Sequence, residues 1–223
     1  MELSRLLAVE RGITALIGSG GKTTAMYLLA QELSQKGTVI CTTSTHILIP
    51  DHLPVLVEPE AEKLAAALER VPVICTGGAG PEGKLCSSAL SWDTLVALAD
   101  YVLVEADGSH CLPCKAHLPY EPVIPPGTGQ AILLVGATGF GKPVGQAAHR
   151  PEEFCRLSGL GMADPITPEA VAAVIREENL GDKVLINQVD QPDTLEQARE
   201  TACGLNMPVF AGSLWKRSIL CLS

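Results

Sequence analysis

Lys22 is the first residue whose surroundings suggest chemistry, because it sits in the run Gly18-Ser19-Gly20-Gly21-Lys22-Thr23-Thr24. Closely spaced glycines let successive backbone N–H groups turn inward around an anion. A helix beginning at the lysine brings the positive end of its dipole to the same place. The chemistry is phosphate binding. All seven residues would cradle a nucleoside triphosphate, with the Lys22 ammonium on the β- and γ-phosphates and the Thr23 hydroxyl on a magnesium ion. The apolar run Ile13–Ile17 leads straight into the loop and helix-forming residues follow it, giving the strand, glycine turn and helix that such a loop requires.

The loop departs from the usual phosphate-loop pattern in one respect. Six residues before the lysine, where a glycine is expected, stands Leu16. The result is a shortened G-x-x-G-K-T form that resembles the loop of Mur-type ligases and folylpolyglutamate synthases. The plainer alternative is a glycine-rich strand–helix turn carrying a surface lysine.

A second run, Tyr101-Val102-Leu103-Val104-Glu105-Ala106-Asp107-Gly108, is an apolar strand ending in acids. Such an acid beside a phosphate loop holds magnesium directly or through water. Glu105 and Asp107 alternate along a strand and so share a face. With Lys22 they form the candidate catalytic set, one carboxylate for the metal and the other for polarising a nucleophile. Read plainly, Asp107-Gly108 is only a turn that ends the strand. The hydroxyl run Thr42-Thr43-Ser44-Thr45 follows another strand, and Thr43 joins Thr23, Glu105 and Asp107 as a candidate magnesium ligand.

Further along, Lys183–Ile186 leads into Asn187-Gln188-Val189-Asp190, a layout similar to the N-K-x-D base-reading motif of GTPases with Gln188 in place of the lysine. An Asp carboxylate there accepts two hydrogen bonds from guanine that adenine does not offer. Asn187 and Asp190 are therefore candidate nucleotide contacts, and the cofactors expected are magnesium with ATP or GTP, guanine favoured. Cys111, Cys114 and His117 have C-x-x-C-x-x-H spacing that would suit zinc or copper. No second C-x-x-C pair completes a tetrahedral site.

The elements that must position these residues alternate regularly. Strand candidates are Ile13–Ile17, Thr38–Cys41, Val71–Cys75, Tyr101–Glu105, Ala131–Val135, Lys183–Ile186 and Pro208–Ala211. Helix candidates are Lys22–Gln35, Glu60–Glu69, Trp92–Ala99, Pro168–Glu178 and Asp193–Cys203, with Thr167-Pro168 as a helix start. The strands are apolar on successive residues, as in strands covered on both faces. The expected fold is a three-layer, doubly wound, mostly parallel α/β sheet of the P-loop NTPase type, with ligands beyond the carboxyl ends of the strands. Residues 1–223 form a single nucleotide-binding domain, with a small helical insertion at about 146–180. The proline-rich stretch 107–129 is the main irregular segment, and the four glycines of 136–145 suggest a hinge.

Composition narrows the function classes. A net charge of −9 without any basic block argues against nonspecific nucleic-acid binding. Apolar stretches are strand-length, well short of the roughly 20 residues of a membrane span. No basic segment feeding an apolar run opens the chain, so a secretory signal is not expected. Eight cysteines without framework spacing read as reduced thiols, consistent with a cytoplasmic location.

With these pieces placed, the chain resembles the YqeC family, known as selenium-dependent hydroxylase accessory proteins. The resemblance rests on Gly18–Thr24, Cys41–His46, Val102–Ser109 continuing to Leu112-Pro113-Cys114-Lys115-Ala116, Glu121-Pro122-Val123-Ile124-Pro125, His149-Arg150-Pro151-Glu152 and Leu185–Asp190. It implies a P-loop fold and a role in maturing molybdenum hydroxylases that carry a labile selenium, with such a hydroxylase or its cofactor-maturation proteins as partner. Three functions compete on these residues: a triphosphate-hydrolysing maturation factor, a small-molecule kinase or ligase with Glu105 or Asp107 as base, and a non-catalytic nucleotide-sensing module.

Overall fold

The apolar run Gly12–Gly18 becomes the central strand, β1, because its side chains are buried on both sides. Leu16 packs with Met26 and Leu29 on one face, while Ala15 and Ile17 pack with Val171 and Ile186 on the other. The structure, a computed structural model, describes residues 2–223. Eight helices lie among the described residues. They are α1 (Leu3–Leu6), α2 (Lys22–Leu33), α3 (Ala61–Leu68), α4 (Trp92–Leu98), α5 (Val144–Ala147), α6 (Pro151–Ser158), α7 (Pro168–Glu178) and α8 (Pro192–Cys203).

The remaining strands are β2 (Val39–Thr43), β3 (His46–Leu48), β4 (Val55–Val57), β5 (Val73–Ala79), β6 (Lys84–Cys86), β7 (Tyr101–Glu105), β8 (Cys114–Lys115), β9 (Thr128–Gly136), β10 (Ala148–His149), β11 (Lys183–Asn187), β12 (Val209–Ser213) and β13 (Ser218–Cys221). The main sheet runs β13-β12-β11-β9-β1-β7-β2-β5-β6-β3, with β4 also paired to β5. From β12 to β5 every pairing is parallel, and only β13, β6 and β3 add antiparallel edges. The fold is therefore a mixed, mostly parallel α/β sheet. β8 and β10 pair separately as a two-stranded parallel ribbon.

Helices cover both faces. α1 and α2 pack on one side, burying Leu3, Leu7, Ala25, Met26, Leu29 and Leu33. On the other side, α3 and α4 cover one half and α6, α7 and α8 the other. Several helix starts carry the expected chemistry. Thr167 Oγ1 accepts a hydrogen bond from Ala170 N (3.2 Å) ahead of Pro168, and Ser91 Oγ accepts from Thr94 N (3.1 Å).

The chain order puts the start of the fold at the centre of the sheet. β1 lies between β7 and β9, and Leu16 stands opposite both Glu105 and Ile132. All three strands run the same way, so their carboxyl ends meet at one rim. Of the 136–145 glycines, expected as a hinge, Gly136 and Gly139 sit where a side chain would not fit, while Gly141 lies in open space. A Cβ on Gly136 would lie 2.4 Å from Gln188 Oε1, and one on Gly139 would lie 2.4 Å from Cys114 Sγ. The 107–129 segment is less irregular than its prolines suggest, since it contributes β8 and bonds back to the sheet through Val123 N to Ala106 O (2.8 Å).

Candidate functional site

The glycine loop turns at the rim between β1 and α2 in a conformation that demands its residue types. Gly18, Gly20 and Gly21 have φ of +86°, +81° and +128°. A Cβ at Gly20 would meet Gly136 N at 2.3 Å, so the loop lies directly against the end of β9. Gly21 caps α2 without a side chain, and the first-turn N–H groups of a helix have no acceptor of their own within it. Ser19 is buried, its hydroxyl donating to Leu112 O.

Lys22, 3% exposed, bends back over the loop. Its Nζ donates to Gly18 O (2.6 Å) and to Ser109 Oγ (3.3 Å), and lies 3.2 Å from Asp107 Oδ1 and 3.9 Å from Glu105 Oε1. Thr23 Oγ1 donates to Glu105 Oε2 (2.7 Å). The structure thus brings together Lys22, Thr23, Glu105 and Asp107 at the mouth of the glycine loop. Thr24 is exposed one residue further along α2. Thr43 stands opposite Glu105 in the sheet, and its hydroxyl is taken by the backbone: it donates to Glu105 O (2.8 Å) and accepts from Thr45 N (2.9 Å).

The two acids differ electrostatically. Burial pushes the Glu105 carboxyl upward, only partly opposed by Lys22 and the Thr23 hydroxyl. Burial also raises Asp107, but the hydrogen bond from His117, with Lys22 and Lys115 close by, outweighs it and brings Asp107 down to about 2. Asp107 is the hub of this network. Its Oδ2 accepts from Gly18 N (2.9 Å), lies 2.8 Å from His117 Nε2 and 3.2 Å from Lys115 Nζ. Its Oδ1 is buried and lacks any aligned hydrogen bond.

That oxygen, which faces the Lys22 ammonium at 3.2 Å, is with Glu105 and the Thr23 hydroxyl an oxygen-only donor set of the kind a hard divalent cation takes. The residues therefore fit magnesium. The Cys111–Cys114–His117 spacing does not make a metal site. Cys114 is buried against Gly136 O, Cys111 is exposed, and both His117 nitrogens are engaged by carboxylates. Among the described residues no three His, Cys, Asp or Glu side chains converge on a metal position.

Sequence reasoning missed much of the second layer. His117 Nδ1 lies 2.8 Å from Glu178 Oε2, so the ring is clamped between two carboxylates; burial lowers its pKa, but the hydrogen bonds to Asp107 and Glu178 outweigh it and raise it. Lys115 Nζ donates to Gly108 O (2.7 Å) and pairs with Glu121, which also receives Arg150 Nε (2.9 Å) and Nη2 (2.7 Å). The stretches around Lys115, Glu121 and Arg150 already stood out as sequence features; what they share is this network. Glu178 carries no local signal.

Asn187 and Asp190 part company. Asn187 is buried, its Nδ2 donating to Gly20 O (2.8 Å) and its Oδ1 accepting from Leu214 N (3.0 Å), so it ties the glycine loop to the end of β12. Asp190 is exposed and pairs with Lys216 Nζ at 3.0 Å. From Thr24 an open groove of about 680 Å³ runs along α2, lined by Tyr27, Leu28, Gln31, His52, Leu214 and Trp215. Trp215 is 90% exposed at its edge.

The fold and site together define a mostly parallel α/β protein whose central strand ends in a glycine loop, a buried lysine and two carboxylates. The chain belongs to the YqeC family, whose model, described as YqeC protein, matches residues 14–152. A relative from Escherichia coli (strain K12), "Uncharacterized protein YqeC", is 31% identical over 166 residues, 71% of this chain and 62% of the relative. The match thus spans less than two thirds of that relative's length. No solved structure matches. The family span contains the glycine loop, both acids and the Lys115–Glu121–Arg150 network, and stops before Glu178, Asn187 and Asp190. Among the described residues no helix is long and apolar enough to cross a membrane.

Proposed function

We propose that this protein binds a magnesium–nucleoside triphosphate, ATP or GTP, at a phosphate loop formed by Gly18–Thr24 and hydrolyses it. The observation that carries the reading is the placement of Lys22. Its ammonium is buried at the strand end, held by a carbonyl and two carboxylates that a triphosphate's oxygens would replace or share. The N–H groups of Lys22, Thr23 and Thr24 point from the helix start toward the same anion. A magnesium ion held by Thr23 and Glu105, with Asp107 directly or through water, would neutralise charge developing on the transferring phosphoryl group. Lys22 would stabilise that charge from the other side, and Asn187 would keep the loop from opening.

The nucleoside half is best accommodated in the groove that starts at Thr24, with the Trp215 ring as a stacking face and Asp190 at the neighbouring rim. Family membership supports a role as an accessory factor in maturing selenium-dependent molybdenum hydroxylases, with hydrolysis driving engagement and release of the partner. The decisive measurement is a melting-temperature panel of ATP, GTP, CTP and their diphosphates, each with magnesium. Wild-type protein should be stabilised by one triphosphate and Lys22→Ala should not. No shift with any nucleotide defeats the reading.

A further inference from the structure

Glu178 stands where a carboxylate is disfavoured. It is the last residue of α7, at the negative end of the helix dipole, and its side chain is 6% exposed. A buried charge in that place needs partners, and both its hydrogen-bond partners among the described residues belong to His117. The His117 backbone N–H donates to Glu178 Oε1, and the ring Nδ1 lies 2.8 Å from Oε2. The carboxylate therefore grips one residue at two points, backbone and ring. That grip restrains the ring and sets the direction of its other nitrogen. Nε2 lies 2.8 Å from Asp107 Oδ2.

Asp107 Oδ2 is held from three directions, by Gly18 N at 2.9 Å, His117 Nε2 at 2.8 Å and Lys115 Nζ at 3.2 Å. The second oxygen, Oδ1, faces the lysine of the glycine loop, 3.2 Å from Lys22 Nζ. The terminal torsion of an aspartate is broad and roughly two-fold, so an unrestrained carboxylate presents either oxygen. We propose that His117 and Glu178 are positioning residues for the magnesium of the bound triphosphate. Glu178 sets the His117 ring, and the ring holds Asp107 with Oδ1 turned to the metal, directly or through a bound water. The inference rests on the phosphate-loop reading.

The relay carries the site outward to α7, beyond the residues that match the family model. It runs from Glu178 through His117 to Asp107, and from there to the backbone of Gly18. Neither outer residue touches the phosphates. Loss of an outer partner that orients a metal-binding carboxylate typically lowers metal affinity 10- to 100-fold. When His117 is loosened, Gly18 N and Lys115 remain on Oδ2, so the loop keeps its anchor while the carboxylate gains freedom to turn. The damage should therefore fall on the metal-dependent part of triphosphate binding. Lys22 and the loop N–H groups serve the metal-free part.

The test titrates manganese(II), read by its EPR signal, into full-length protein holding ATP or GTP, whichever the wild type binds. Two variants are compared with it. Glu178→Gln keeps the size of the side chain without its charge, and His117→Gln removes the ring. Melting temperatures establish that each is folded, and if one is not, the other decides. Each should weaken manganese binding by about 10- to 100-fold while triphosphate binding in EDTA is retained. A merely structural pair would not separate the two measurements. Manganese affinity equal to wild type overturns the proposal, as does an equal loss of binding with and without metal. Wild-type protein whose triphosphate binding needs no metal overturns it too. Wild-type protein that binds no triphosphate defeats instead the phosphate-loop reading beneath it.

Discussion

At the scale of single residues, Asp107 concentrates the energetics of the site. One buried carboxylate faces Lys22, Lys115 and His117 and accepts the Gly18 N–H. Removing its charge leaves buried cations without a partner, a change that costs about 3–5 kcal/mol where buried pairs have been broken. Asp107→Asn should therefore lower unfolding stability by roughly that amount in urea denaturation. Asp190→Asn breaks an exposed pair and should cost under about 1 kcal/mol. A second residue-scale expectation concerns pH. His149 takes up a proton near 6.5 when unfolded but only near 4 when folded. Its contribution is whole above 6.5 and is lost as pH falls toward 4, since the unfolded chain binds the proton first. His149→Gln should flatten the stability profile over that window; a slope equal to wild type would show that other groups dominate it. Lys22, Thr23, Glu105 and Asp107 were legible because each sits in a short local pattern. The pairing of His117 with Glu178 was not, because it joins positions 61 residues apart and only the folded topology brings them together.

At the scale of elements, the glycine loop is fixed by β9 as much as by its own sequence. Gly20→Ala would combine a φ of +81° with a Cβ 2.3 Å from Gly136 N, and neither neighbour is a flexible side chain. Backbone strain of this kind costs about 1–3 kcal/mol, so the variant should melt lower and lose most of its triphosphate-induced shift. Trp215→Ala probes the groove from the other side. Its ring is solvent-exposed, so the melting temperature of free protein should hold while triphosphate affinity falls by about 1–3 kcal/mol, the range for base stacking on an aromatic ring. Isothermal titration of the two proteins decides it, and equal affinities would remove the nucleoside from this groove. All seven strands and five helices expected from apolar runs and cap residues are present, with ends shifted by up to four residues. The unexpected elements are short: β3, β4, β6, β8, β10 and β13, with α1 and α5, while α6 falls within the helical stretch expected at about 146–180. Three-residue strands such as His46–Leu48 and Lys84–Cys86 have no periodicity to read and are strands only because a neighbour supplies hydrogen bonds.

At the scale of the whole molecule, the parallel sheet gathers distant segments at one rim. β1, β7, β9 and β11 end side by side: β9 and β11 close on Gly136 and Asn187, and the chain leaving β1 and β7 reaches Lys22 and Asp107. A ligand held at that rim therefore links segments far apart in sequence, and its binding energy becomes folding energy. At a free concentration one hundred times Kd the gain is about 2.7 kcal/mol. Hydrogen exchange should show where that energy is held. With magnesium and triphosphate, protection should rise in residues 18–24, 105–117 and 187–190 together, while α3, packed against Ile40 and Ile74 on the face of the sheet, changes little. Lys22→Ala should abolish the protection in all three segments at once, because they are coupled through the ligand and not merely adjacent to it. Protection confined to 18–24 would mean that the acids and the Asn187 loop take no part in holding the nucleotide.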